Sequence, residues 1–177
     1  MRGKKKAVLA AATGAVLFFL VPARHLTSRA HSLPPQQKAQ RVLVLKAQHK
    51  LLLLNGDGVI KTYTVAIGRG GLAPKQQQGD HRTPEGLYEI DRRKKDSRFH
   101  RALHILYPSE ADRERARRLG VNPGGDIMIH GMMNGLGWLG SMHRLIDWTD
   151  GCIAVTDAEI EEIWSVVADG TPVEIRP

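Results

Sequence analysis

Cysteine is nearly missing from this sequence. One residue, Cys152, stands in a chain of 177, so no disulfide can form within the chain. Acidic residues are missing from the first thirty positions, and so is cysteine, which excludes a lipid-anchored lipoprotein. No two of the eight histidines have a recognisable zinc-ligand spacing, and the lone cysteine supplies no cluster, so a zinc site is not expected. Internal repeats and low-complexity tracts are absent. What is present is ordinary for one globular domain, with 42% hydrophobic and 25% charged residues.

The acid-free start is a segment of its own. Arg2, Lys4, Lys5 and Lys6 precede an uncharged apolar run, Ala7 to Val21, bounded by Pro22 and Arg24. As a helix that run spans about 22 Å, short of a hydrocarbon core of about 30 Å. It reads as a secretory signal cut before His31, with an uncleaved membrane tether through residues 7–21 as the other reading. Either way the chain is exported, to the periplasm or cell envelope. Residues 1–30 hold six basic groups and no acid, so the formal charge of +8 becomes +8 − 6 = +2 for the remainder. A nucleic-acid partner loses its electrostatic support. Residues 31–40, polar with paired prolines, read as a linker, and residues 41–177 as the folded domain.

Three β-rich runs open that domain, Val42 to Lys46, Leu51 to Asn55 and Val59 to Ile67. The last two are joined by Asn55-Gly-Asp-Gly58, whose residues tolerate the positive φ of a tight hairpin, so an antiparallel meander is expected. Gly68 to Gly86 is a long loop expected to border a cleft. A strand is predicted over Gly86–Asp91, with the basic run Asp91 to Arg101 as a solvated loop or hairpin end. Ser109 and Gly120 bracket a short polar helix, and Asp126–Gly131 reads as a strand ending at His130. Thr156 and Glu159 form a capping box for a helix over 157–168, and Thr171 to Pro177 closes the chain as a strand.

The lone thiol is therefore buried and inert, joined to another molecule, or a nucleophile. Beside Ile153-Ala-Val155 it reads equally as a small buried hydrophobe. Gly151 leaves room for an acyl substrate, and the N–H groups of Gly151 and Cys152 are candidates for an oxyanion hole. A thiol at its ordinary pKa needs a base, and two histidines precede it. His130 ends a strand 22 positions earlier, and His143 lies nine positions earlier in a glycine-rich insertion expected to loop over the cleft. Asp147 and Asp150 oppose ionisation of the thiol unless they turn away. A working thiol is expected to label fast at neutral pH.

Ile129-His-Gly131, Thr149-Asp-Gly-Cys-Ile-Ala-Val155 and the upstream Thr83-Pro-Glu-Gly86 together resemble the L,D-transpeptidase (YkuD-like) catalytic domain of bacterial cell-wall enzymes, over about Arg41 to Pro177. The resemblance implies a mainly β, sandwich-like fold of mixed sheets with one or two short helices, and no metal or organic cofactor. Cys152 matches the family's nucleophile and His130 its proton donor and acceptor. Gly131 falls where a backbone carbonyl orients that histidine, and Thr149 and Gly151 match the two residues that lead into the nucleophile.

Two positions depart from the pattern. Asp150 stands where the family often has histidine, and Ala154 where arginine or asparagine is common. His143, Arg144 and Trp148 of the insertion, with Trp138, are the candidates for holding the substrate in place of those side chains. The implied chemistry is acyl transfer on peptidoglycan stem peptides through a Cys152 thioester, with carbapenem-type β-lactams as covalent inhibitors. Water in place of an amine makes the same residues an L,D-carboxypeptidase or an amidase, and an inert cysteine makes the chain a wall-binding domain.

Overall fold

Alternation writes the first strands. In Arg41–Leu45 (β1) Val42 and Val44 are buried between half-buried neighbours, and in Lys50–Asn55 (β2) Leu51 and Leu53 are buried in the same alternation, the period of two that a half-buried strand requires. Gly58–Thr64 (β3) returns antiparallel to β2 through the Asn55–Gly58 turn, with Gly56 at φ 55°. The expected meander is thus present. A computed structural model describes residues 38–177. The proposed signal or tether and most of the linker lie outside the described residues, whereas Ala39 is already buried and donates its N–H to Val166.

Gly86–Ser97 (β4), His100–Ile105 (β5), Met128–His130 (β6), Ile153–Ala154 (β7) and Pro172–Arg176 (β8) complete a mixed eight-stranded sheet, ordered β3-β2-β1-β8-β4-β5-β6-β7. Its hinge is β4. Residues 86–89 pair with β8, and from Ile90 onward the strand pairs with β5, so β4 carries the chain from one half of the sheet to the other. The chain leaving β3 then bridges to the opposite edge, Ala66 to Ala154 and Gly68 to Thr149. The halves face each other around a core that includes Leu53, Ile90, Leu103, Ile129, Ile153 and Val173. This is the sandwich-like, mainly β architecture expected.

Helix α1, Glu110–Leu119, begins at the Ser109 cap and ends at Gly120 in the left-handed region, as its sequence signals require. Helix α2, Asp157–Val166, carries the Thr156–Glu159 capping box and buries Ile160, Ile163 and Val166. It stops two residues short of the expected end because Val167 is extended and Ala168 N–H bonds Thr171 Oγ1.

Two expectations are corrected. The strand expected to end at Asp91 continues six residues further, to Ser97, so the basic run is a hairpin with β5, as the second of its two readings had it, and not a loop. Its charges hid the strand because burial there is supplied sideways, with Arg93 stacked 4.1 Å from the centre of the Trp164 ring. The insertion before Cys152 is also not a plain loop, since Gly137–Leu145 forms a 3-10 helix kinked at Gly140.

The loop after β3 is wrapped around a buried charge. Lys46 has no exposed surface, and its Nζ donates to the carbonyls of Leu72 (2.7 Å), Ala73 (3.3 Å) and Thr83 (3.1 Å) and to Glu85 Oε1 (2.7 Å). Lys75, also buried, holds Asp80 at 2.8 Å. These bonds make the loop part of the packed structure.

Candidate active site

His130 and Cys152 come to one cleft because β6 and β7 run parallel, with Ile129 opposite Ile153 and His130 opposite Ala154. The histidine ends one strand and the cysteine starts the other. Both line one cleft of about 400 Å³, with Lys94, Asp96, Ser97, Arg98, Phe99, Asp126 and Met128.

The imidazole is buried, and its Nδ1 donates to the Gly131 carbonyl at 2.7 Å. That bond fixes the neutral tautomer with Nε2 free to accept a proton. Phe99 lies against the ring at 4.4 Å and Trp148 meets it edge-on at 5.8 Å. Desolvation by this apolar packing lowers the His130 pKa to about 4, against the opposing pull of the Gly131 carbonyl.

The thiol is shifted the other way. Burial pushes the Cys152 pKa up to about 11, Asp150 and Asp126 add to the rise, and the Met128 backbone opposes it. Sγ lies 3.5 Å from the Asp126 carbonyl. These shifts favour the uncharged form of both groups at neutral pH, so any attack by this sulfur would have to shed the thiol proton in the same step. Fast labelling at neutral pH is accordingly no longer the mark of a working thiol here. Alkylation of Cys152 by iodoacetamide is expected to rise about tenfold per pH unit from pH 7 towards 11. Acylation by a substrate carbonyl, which needs neutral imidazole and protonated thiol, is expected to stay level from about pH 5 to 9. A stopped-flow pH series on both reactions checks this, and a fast, pH-independent alkylation near pH 7 refutes the neutral pair.

The turn before Cys152 is closed by Thr149, whose Oγ1 donates to the Cys152 carbonyl at 2.7 Å and accepts from Gly151 N–H at 3.2 Å. Gly151 N–H is thus already engaged. The two-donor oxyanion hole expected from Gly151 and Cys152 is corrected accordingly. Glycine is required at 151 for another reason: φ is 121°, and a Cβ would stand 2.6 Å from the Arg82 carbonyl oxygen. Gly131 is equally confined, a Cβ there falling 2.7 Å from Asp157 Oδ1.

The aspartates turn away from the sulfur. Asp147 accepts from His49 and from Ile67 N–H, and Asp150 pairs with Arg69 (2.9 Å) and His81 (2.8 Å). Of the candidates for holding the substrate, Arg144 is corrected: it is bound to Glu159 at the start of α2. His143 is buried, does not line the cysteine's cleft, and accepts a 3.4 Å bond from Trp148 Nε1. It instead lines, with Trp148, Met132, Leu136 and Met142, an apolar groove of about 320 Å³. Trp148 lies against both histidine rings, and His143 adds a small electrostatic push to the lowering of the His130 pKa. Trp138 is 75% exposed.

Local pattern gives no sign of the hairpin tip. Asn134 donates from its Nδ2 to the Ser97 carbonyl and from its backbone N–H to the Arg98 carbonyl, and accepts from His100 N–H. These bonds hold Phe99 over the imidazole. Nothing in the sequence around Asn134 marks it for this, because its partners lie more than thirty residues away.

The model of the L,D-transpeptidase catalytic domain (YkuD) matches residues 39–175. The chain belongs to this family. It is 33% identical over 111 residues to YafK of Escherichia coli (strain K12), assigned by name to the L,D-transpeptidases, a match covering 62% of this chain and 37% of that one. Among solved structures, the helical cell shape determining protein Pgp2 from Campylobacter jejuni superimposes with a TM-score of 0.59 at 23% identity, over 80% of this chain and 48% of that one. Bd1075 of Bdellovibrio bacteriovorus gives 0.55 at 25% identity, over 82% and 50%. The matched region is thus about a third to a half of these relatives' length, and on this chain it holds the β6–β7 cleft.

Proposed function

We propose that this member of the L,D-transpeptidase family is an exported acyltransferase that works on peptidoglycan stem peptides through a thioester on Cys152. The observation that carries the reading is the His130 tautomer: the Gly131 carbonyl holds Nδ1–H, which leaves Nε2 as a proton acceptor in the cysteine's own cleft. Sγ attacks the carbonyl at the L-centre of meso-diaminopimelate while the thiol proton passes to Nε2. The C–N bond to the terminal D-alanine then breaks, and Nε2–H protonates the departing amine. An amine of a neighbouring stem attacks the thioester, gives its proton to Nε2, and leaves a 3→3 cross-link and a thiol reprotonated by the imidazolium. Water in the amine's place gives hydrolysis, as in an L,D-carboxypeptidase or an amidase.

The family's setting supports a periplasmic or cell-envelope location, with residues 7–21 as signal or tether. The name of Pgp2 connects one structural neighbour with cell shape.

Two measurements test the reading. A carbapenem is expected to leave one covalent adduct on Cys152 in intact-mass analysis, because an acylating sulfur also opens a strained lactam. One neighbour, the L,D-transpeptidase LdtMt1, was solved in complex with imipenem. Incubation with purified muropeptides is expected to give 3→3 dimers, and tripeptide products without dimers would assign hydrolysis instead. No adduct and no change in the muropeptides would make the chain a wall-binding domain.

A further inference from the structure

Several cations elsewhere in the domain already have partners. Arg144 is bound to Glu159, Arg69 and His81 to Asp150, Arg101 to Glu161, and Arg93 to the Trp164 carbonyl and ring. Buried Lys75 is held by Asp80. At position 154, where the resemblance leads one to expect arginine or asparagine, this chain has buried alanine. Two cations remain on the wall facing the nucleophile. Lys94 and Arg98 line the cleft with Cys152 and His130, and neither has a carboxylate partner among the described residues. Arg98 rests on the face of Phe99, 5.9 Å from the ring centre, and that ring packs on His130.

We propose that Lys94 and Arg98 form a carboxylate-binding subsite that seats the acyl donor beside Cys152. The proposal rests on the stem-peptide reading and specifies how such a peptide is held. Asp96 lies on the same wall, and Asp126, with 78% of its side chain exposed and His104 Nε2 at 3.7 Å, lies on the lining as well. The cleft therefore carries both signs and selects a carboxylate within a peptide rather than a bare polyanion. An arginine fork and a lysine ammonium give charge-assisted bonds to such a group. Two donor groups have this chemistry near the attacked carbonyl: the terminal carboxylate of the leaving residue and the side-chain carboxylate of the diamino acid.

Binding measured by calorimetry on the full chain carrying Cys152→Ala separates them without turnover. Three tetrapeptides are compared: the diaminopimelate peptide, its C-terminal amide, and the peptide with lysine in the third place. The peptide lacking the recognised carboxylate is expected to bind about tenfold more weakly, as for loss of a hydrogen bond to a charged group. With Lys94→Gln and Arg98→Gln added, that difference is expected to vanish. Both side chains are on the hairpin surface, and an unchanged near-ultraviolet circular dichroism spectrum verifies the fold. Equal binding of all three peptides, or a preference that survives the double substitution, overturns the subsite. Turnover of the parent peptide by the unsubstituted chain is scored separately. Turnover with equal binding keeps the transpeptidase reading and removes the subsite, and carboxylate-dependent binding without turnover does the reverse.

Discussion

Cys152→Ala is expected to abolish acyl transfer, and His130→Ala to lower it by about 10²-fold or more, the usual effect of removing a general base. The size follows from the state of the pair. With the thiol pKa near 11 and the imidazole near 4, almost no thiolate exists before substrate arrives, so the base must act in the attack itself. Removing Nε2 leaves only the rare thiolate. The double substitution is expected to be no worse than Cys152→Ala alone, because residues that act as a unit do not add. His143→Ala is expected to be far milder, since that ring is buried behind Trp148. Rates of tetrapeptide turnover and of carbapenem acylation for the four variants check the set. Full activity in His130→Ala, or a greater loss in His143→Ala, would transfer the base to the insertion.

For folding, the most damaging substitution is expected at Lys46, far from the chemistry. Lys46→Met keeps the length and removes the ammonium, leaving Glu85 and the carbonyls of Leu72, Ala73 and Thr83 without their shared donor. Breaking a buried pair by removing one partner costs about 3–5 kcal/mol. About 3 kcal/mol is the better figure here, because Glu85 keeps 21% of its side chain exposed and can rehydrate. Against a domain stability of about 5–15 kcal/mol, that is a large share.

The damage should also reach the nucleophile. Thr83 Oγ1 accepts from Gly68 N–H at 3.0 Å, and Gly68 is bridged to Thr149, whose hydroxyl closes the Gly151–Cys152 turn. Glu85→Gln is expected to cost less, since its amide oxygen still accepts from Nζ. Urea unfolding of the three proteins tests this, and a Lys46→Met midpoint equal to that of the unsubstituted chain would refute it. The same bonds revise the role of the loop itself. Removing residues 73–78 takes away Lys75, Gln76 and Gln77 and leaves Asp80 with the Arg82 N–H alone of its four donor residues, so such a deletion is expected to lower stability as well as turnover.

Much of the fold was written in short-range pattern. The alternation in β1 and β2, the Asn55–Gly58 turn, and the caps at Ser109, Gly120 and Thr156 each depend on residues within a few positions of one another, so the sequence displays them directly. The same holds for His130, Gly131, Thr149, Gly151 and Cys152 as a set of candidates. A strand-end histidine next to glycine and a cysteine after glycine are local features, and their family resemblance is local too.

The environment that gives those residues their properties came from long-range packing. Parallel pairing of β6 and β7 brings the histidine and cysteine into one cleft, and the burial that follows drives their pKa values apart. Which cations are occupied was equally invisible: Arg144 looked available until α2 packed against it, whereas Lys94 and Arg98 looked like solvated hairpin charges until the β4–β5 hairpin folded over the cleft. Residue identity and short spacing thus set which groups could react. Their protonation, their orientation and which charges stayed free were set by the fold, because solvation and pairing depend on neighbours that are far away along the chain.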